Sequence, residues 1–385
     1  MSGQRLRLCI VTPRQHGGGA EYQISLLIAA LLEATRYDIH LLVRHFDERI
    51  EPVGYHVVRI GRSAQVPRFG YISDLVPLYR ALRLIKPNIL YQRVACGYTG
   101  ICALYARREH VPLLWHAAHD TDVNPATLDR GRNLLRRRLE KWSVEFGIRH
   151  ADRIVVQTRQ QGELLLRHYG RQADAVIPNF HGDAGETIDK SGPTTVAWVA
   201  NLKSWKRPEV FVRLALALQD VPGLQFIMLG EAPAGASNQS WLVPLMRSIE
   251  AASNLRYLGS RSQCEVNEIL AKATIFVNTS VHEGFPNTFI QAWQRDVAVV
   301  SLDVNPDDVL QREGVGIHAG NEQALSEAVR MLVTKPWVLA GYVARAREYV
   351  RSQHSLRNSA MLVQLIDSLA QPDQGAVRAG RDDRV

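Results

Sequence analysis

The chain has 385 residues, of which 46% are hydrophobic, 22% charged and 7% aromatic; this is a globular composition with length enough for two domains, not a disordered or fibrous one. No apolar run reaches the roughly 18 to 20 residues a membrane span needs, since Ile24–Leu32 is broken by Ser25 and stops at Glu33. The net charge of +8 is confined to residues 1–190, which hold 27 Lys and Arg against 19 Asp and Glu, while the remainder balances at 19 against 19.

The N-terminal stretch enters a short apolar strand, Leu6–Val11, without the h-region and cleavage site of a secretory signal, and reads as cytoplasmic. A glycine-rich loop, Thr12–Gly19, and an amphipathic helix, Ala20–Glu33, follow. Between strand and helix, Gly18 and Gly19 let backbone N–H groups approach an anion near the positive helix end. The same triplet of glycines also suits an ordinary tight turn. It matches neither the dinucleotide fingerprint nor a P-loop.

Short apolar segments at 39–43, 56–60, 89–91, 113–116 and 153–157 alternate with helical stretches such as Asp74–Ile85, predicting a parallel sheet covered on both faces. Trp115-His-Ala-Ala-His-Asp120 closes one of these strands, with His116 and His119 as rival candidates for a cleft role. The densest basic part, Arg130–Arg153, carries Arg130, Arg132, Arg136, Arg137, Arg138 and Lys141 ahead of Trp142, Val144 and Phe146. Such a segment can hold lipid headgroups, nucleic acid or a phosphorylated substrate, or be a solvated helix face.

After Ile177-Pro-Asn179, the aperiodic stretch 181–193 reads as a linker between a first domain, 1–180, and a second, 194–370, with 371–385 as a disordered tail. The second domain repeats the alternation, with strands at 195–199, 224–229, 255–258, 275–278 and 297–301; Gly314–Gly320 reads as a loop. Two doubly wound domains facing one another place a ligand in the cleft at the carboxyl ends of their strands. The most informative segment is Asn278–Trp293, where a strand runs into a helix. Pro286 suits the first helical turn, Glu283 lies in the loop before it, and the N–H groups of Gly284–Asn287 are expected to face the cleft. A carboxylate beside such donors holds sugar hydroxyls while the donors hold phosphate. Cys9, Cys96, Cys102 and Cys264 are scattered and read as free thiols, and none of the 13 histidines shows metal-ligand spacing.

His282-Glu-Gly-Phe-Pro-Asn287, followed by an apolar helix and Val297-Ala-Val-Val-Ser301, resembles the donor-site signature of the retaining GT-B glycosyltransferases of family four. The resemblance extends to Gly17-Gly-Gly-Ala-Glu21, to Ile177-Pro-Asn179 and to Asn201-Leu-Lys-Ser-Trp-Lys-Arg-Pro-Glu209, in that family's order. It implies a GT-B α/β fold of two Rossmann-like domains facing a central cleft, a nucleotide-diphosphate sugar as donor, no cofactor and no metal. Lys206 falls on the family's diphosphate-binding lysine, with Arg207 as helper, although a surface lysine in a turn would look the same. Asn201 stands where many members carry arginine. Glu283 matches the first glutamate of the E-x(7)-E motif and implies contact with the donor sugar, alongside Gly284, Phe285, Pro286 and Asn287. The second glutamate is Gln291, which lies about two helical turns, roughly 12 Å, beyond Glu283 if the span is mostly helical, and would meet ribose hydroxyls. His119 matches a position that implies contact with the transferred sugar.

The expected function is therefore retaining transfer of a sugar to a glycan, lipid-linked or small-molecule acceptor, without a nucleic-acid partner. The Arg130–Phe146 segment is expected to meet an anionic membrane at its inner face. Two other readings fit parts of the sequence: a catalytically silent nucleotide-sugar-binding scaffold, because Asn201 and Gln291 depart from the pattern, and a nucleotide-sugar epimerase on the same fold.

Overall fold

The structure is a computed structural model that describes residues 5–15, 18–61, 70–128, 134–182, 190, 192–233 and 240–370. Strands β1 (Leu6–Gln15), β2 (Tyr37–Phe46), β3 (His56–Arg59), β4 (Ile89–Arg93), β5 (Leu113–His116), β6 (Arg153–Val156) and β7 (Ala175–Val176) form one parallel sheet in the order β3-β2-β1-β4-β5-β6-β7. A second parallel sheet, in the order β10-β9-β8-β11-β12-β13, is built from β8 (Thr195–Val199), β9 (Gln225–Leu229), β10 (Leu255–Tyr257), β11 (Ile275–Asn278), β12 (Ala298–Ser301) and β13 (Gly316–His318). The strands are near-continuous apolar runs because helices cover both faces; Leu8–Val11 and Ile275–Val277, for example, are fully buried.

The same order appears twice. In each sheet the first strand, β1 or β8, lies between its second and fourth, so the winding reverses there and the carboxyl ends of β1 with β4, and of β8 with β11, open a crevice. Those ends carry Gly18 and Gly19 in the first domain, and the Asn201–Arg207 and Ser280–Asn287 segments in the second.

Three expectations change. β1 runs on to Gln15, beyond the predicted Val11, and Gly18 caps the helix Gly19–Glu33. The Gly314–Gly320 run is not all loop: Gly316–His318 pairs with β12 as an edge strand. A Cβ on Gly316 would sit 2.7 Å from the Val299 carbonyl, so glycine is what allows that close approach. The last helix, Arg357–Ala370, falls by sequence in the 194–370 domain but packs Leu362, Val363 and Ile366 into the first core beside Leu8, Ile10, Ile24 and Leu27. The chain therefore crosses between domains twice, and the crossings are tied together. The His181 N–H donates to the His354 carbonyl at 3.0 Å, His354 Nδ1 meets the Asn179 carbonyl at 2.7 Å, and Asn358 Nδ2 donates to the Pro178 carbonyl at 3.2 Å. The linker positions 183–189 and 191, and the tail 371–385, lie outside the described residues.

Candidate active site

Lys206 and Glu283 are 77 positions apart in sequence, yet β8 and β11 are neighbours, so the loops that leave their carboxyl ends meet. Three bonds hold them in register. Thr279 Oγ1 accepts from Trp198 Nε1 at 2.9 Å and donates to the Lys206 carbonyl at 2.6 Å, while the Val281 N–H donates to the Trp205 carbonyl at 2.9 Å. The Lys206 ammonium then forms an ion pair and hydrogen bond with the Glu283 carboxylate, which also accepts from Ser280 Oγ at 2.8 Å. Burial alone would push the Glu283 carboxyl up, but the charge and hydrogen bond of Lys206, followed by His119 and Ser280, hold it below its ordinary value. It is a carboxylate at neutral pH.

His119 approaches the pair from the first domain, with Nε2 3.9 Å from Glu283 Oε2. Its Nδ1 accepts the Thr121 N–H at 3.1 Å, so the proton of the neutral ring resides on Nε2 and faces the carboxylate. Burial is the main cause that lowers His119 to about 4, outweighing the attraction of Glu283. The backbone beneath it is fixed by Asp122, whose carboxylate accepts the Ala118 and His119 N–H groups at 2.8 and 3.1 Å. The rival, His116, is a buried core residue with Nδ1 2.8 Å from the Tyr91 hydroxyl and 3.4 Å from Arg93 Nη1.

The rest of the Glu283–Asn287 loop does something other than was expected. Of the amides expected to face the cleft, that of Phe285 instead donates to Gln157 Oε1 of the first domain at 3.2 Å, and the Phe285 carbonyl accepts from Asn179 Nδ2 at 3.0 Å. The Phe285 ring is buried, 4.4 Å from the His354 ring. Pro286 is the N-cap, not the first turn, of the helix Asn287–Trp293. Asn287 donates to the Gly19 carbonyl at 3.0 Å and accepts from Gln23 Nε2 at 3.0 Å, with His181 Nε2 at 3.2 Å. Gly284 is buried against Ala118, Gln157 and Gln161. Gly284, Phe285 and Asn287 thus clamp the two domains together, while Glu283 faces His119 beside the His282 ring, whose centroid lies 5.2 Å from that of His119.

Gly19 touches that clamp directly, and Gly18 lies against the Glu21 carboxylate; a Cβ on either would collide. Gly17 lies outside the described residues. Asn201 is exposed and accepts the Glu231 N–H at 3.3 Å. Arg207, the expected helper at the phosphate, pairs with Asp303 and donates from Nε to the Thr279 carbonyl at 3.0 Å. Gln291 is buried with its amide donating to Asn267 Oδ1 at 2.8 Å. Because the helix begins only at Asn287, the two-turn spacing from Glu283 does not hold.

Sequence reasoning missed Ser280, Thr279, Gln157 and Gln161, although the polar Thr279-Ser280 pair directly after a buried strand is a signal it could have used. It also missed Asp307 of the second domain, which accepts the Arg159 and Gln160 N–H groups at 2.9 Å each and so caps the first-domain helix Arg159–Tyr169. Among the described residues no three His, Cys, Asp or Glu side chains gather as a metal centre would need. Asp120 accepts from Gln161 Nε2 at 3.1 Å, and burial pushes Asp120 and Asp122 up to about 6.

The family model described as "Glycosyl transferase 4-like domain" matches residues 7–179, and "Glycosyl transferases group 1" matches 193–335. The D-inositol 3-phosphate glycosyltransferase of Rhodococcus jostii is 23% identical over 225 residues, covering 53% of this chain and 50% of that one; the chain thus spans about half the length of the curated relatives it matches. Among solved structures, sucrose-phosphate synthase from Thermosynechococcus elongatus superposes with a TM-score of 0.76 at 16% identity, over 95% of this chain and 99% of that one. Anabaena HepE in complex with UDP-glucose gives 0.74 at 16% identity, over 94% and 100%. The fold is GT-B, and its two domains match, in order, the glycosyl transferase 4-like domain and the glycosyl transferases group 1 domain.

Proposed function

We propose that this protein transfers a glycosyl group from a nucleoside-diphosphate sugar to an acceptor with retention at the anomeric carbon. The observation that carries the proposal is the Lys206–Glu283 pair at the second domain's switch point facing a neutral, Nε2-protonated His119 on the first-domain loop after β5. Lys206 neutralises charge that builds on the departing diphosphate, while the Glu283 carboxylate and the His119 Nε2–H bracket sugar hydroxyls as acceptor and donor. The donor phosphate takes the acceptor proton as attack comes from the leaving-group face, so no side chain serves as nucleophile or base. Gln291 offers its carbonyl oxygen to ribose, its amide being committed to Asn267. That HepE was solved with UDP-glucose supports a nucleotide-sugar donor.

For the acceptor, the helix Leu134–His150 favours a molecule at an anionic membrane surface. Leu134, Arg138 and Trp142 recur at four-residue spacing on it and are exposed, with Leu135 beside them. Arg130 and Arg132 lie outside the described residues. The donor-site reading is tested by Lys206→Ala. Turnover should fall by about 10² or more, as for loss of a preorganised charge at a developing anion; unchanged kinetics together with unchanged nucleotide affinity would sink it.

A further inference from the structure

The family resemblance leads one to expect two cations against the donor diphosphate, yet the loop after β8 has asparagine at the position of the first. Asn201 is uncharged and turned to the Glu231 backbone, and Arg207, like Lys206, is already paired with a carboxylate, Asp303, and also donates to the Thr279 carbonyl. Lys203 remains. It is half-buried and, among the described residues, its ammonium makes no hydrogen bond and no ion pair; it lies over the Trp205 ring, with Nζ 5.0 Å from the ring centroid. The loop is tight, with the Lys206 N–H donating to the Lys203 carbonyl at 2.9 Å and the Arg207 N–H to the Ser204 carbonyl at 3.2 Å, so both lysines leave one short turn.

We infer that Lys203 is the second diphosphate-binding cation of this protein, standing in for the missing charge at position 201. Given the donor-site reading, on which this rests, Lys203 and Lys206 hold the two phosphates from one turn, and the cation–π contact with Trp205 keeps the Lys203 side chain extended over the loop. The electrostatic surroundings agree. Burial depresses the Lys203 ammonium, and Lys206 and Arg14 depress it further against the opposing pull of Glu21 and Glu283. An anion between these cations relieves that repulsion.

The test titrates inorganic pyrophosphate, and in parallel UDP, GDP and ADP, into wild type, Lys203→Ala, Lys203→Arg and the double variant Lys203→Ala/Asn201→Arg by calorimetry, with a thermal melt of each. Lys203→Ala should bind pyrophosphate and the preferred nucleoside diphosphate about tenfold or more weakly, the usual effect of losing a charge-assisted contact. Its affinity for the corresponding nucleoside should not change. Lys203→Arg should retain affinity, and Asn201→Arg should restore most of what Lys203→Ala loses. Wild-type binding with an unaltered Lys203→Ala, or an equal loss for nucleoside and diphosphate that Asn201→Arg does not rescue, overturns the inference while the donor-site reading stands. A wild type that binds neither pyrophosphate nor any of the diphosphates overturns both.

Discussion

Gly284 offers a test of the idea that the site exists only where the two domains meet. An alanine Cβ there would stand 2.8 Å from the Ala118 carbonyl oxygen, 2.9 Å from Gln161 Nε2 and 3.1 Å from Gln157 Oε1, whereas ordinary contact begins at 3.4 Å. The two glutamine ends can swing aside, but the carbonyl belongs to backbone that Asp122 holds through the Ala118 N–H. The loop and the first domain must therefore separate by about 0.6 Å, the gap between 2.8 and 3.4 Å, and overpacking of this kind costs about 1–3 kcal/mol. That range corresponds to a roughly 5- to 150-fold bias against the docked arrangement. Gly284→Ala should lower kcat/KM by that factor, because Glu283 and His119 no longer share one sugar. The matched control is Gly162→Ala, where the new Cβ meets only Val156 at 3.9 Å inside the helix Arg159–Tyr169; it should raise stability by roughly 0.5–1 kcal/mol and leave kinetics alone. Gly284→Ala with wild-type kcat/KM would refute the reasoning.

Three further outcomes are expected. Asp307→Ala removes the interdomain cap on the Arg159 and Gln160 N–H groups and should cost about 0.5–2 kcal/mol in denaturant titration, with Asp307→Asn close to wild type; an unchanged midpoint for the alanine variant would dismiss the cap. Sedimentation with acidic liposomes should carry the protein down at low salt and release it at high salt, and Trp142→Ser should reduce the bound fraction. Protein left wholly in the supernatant at low salt argues for an acceptor free in solution. Turnover should continue in EDTA; abolition by EDTA with restoration by manganese would mean that Asp120 and Asp122 rearrange into metal ligands.

What could be read from the residues was mostly local: a strand ending in glycines, a strand ending in Glu283, a basic turn at Lys206 and a histidine after β5. Parallel winding then brings those ends together without further information, because every ligand-facing loop leaves the same edge of its sheet. What could not be read depends on how the domains dock. That Asn287 bonds to Gly19 and Gln23 of the other domain has no counterpart in the spacing of its motif. Nor does the basic turn announce that Arg207 has Asp303, 96 positions away, beside it. The last helix carries an ordinary apolar stripe, and periodicity is silent on which sheet it covers. Ion pairs and caps between distant loops leave no spacing signal, so residues such as Gln157 and Asp307 emerge only from the assembled cleft.

The central claim, that this cleft transfers sugar from a nucleotide, is tested most directly by mass spectrometry of products formed from a panel of nucleotide sugars and mixed acceptors. The account predicts that one nucleotide sugar is consumed, that its nucleoside diphosphate is released and that an acceptor gains the mass of the sugar. Binding without consumption would indicate a silent scaffold, and recovery of the sugar isomerised with no acceptor product would indicate an epimerase; either result contradicts the account.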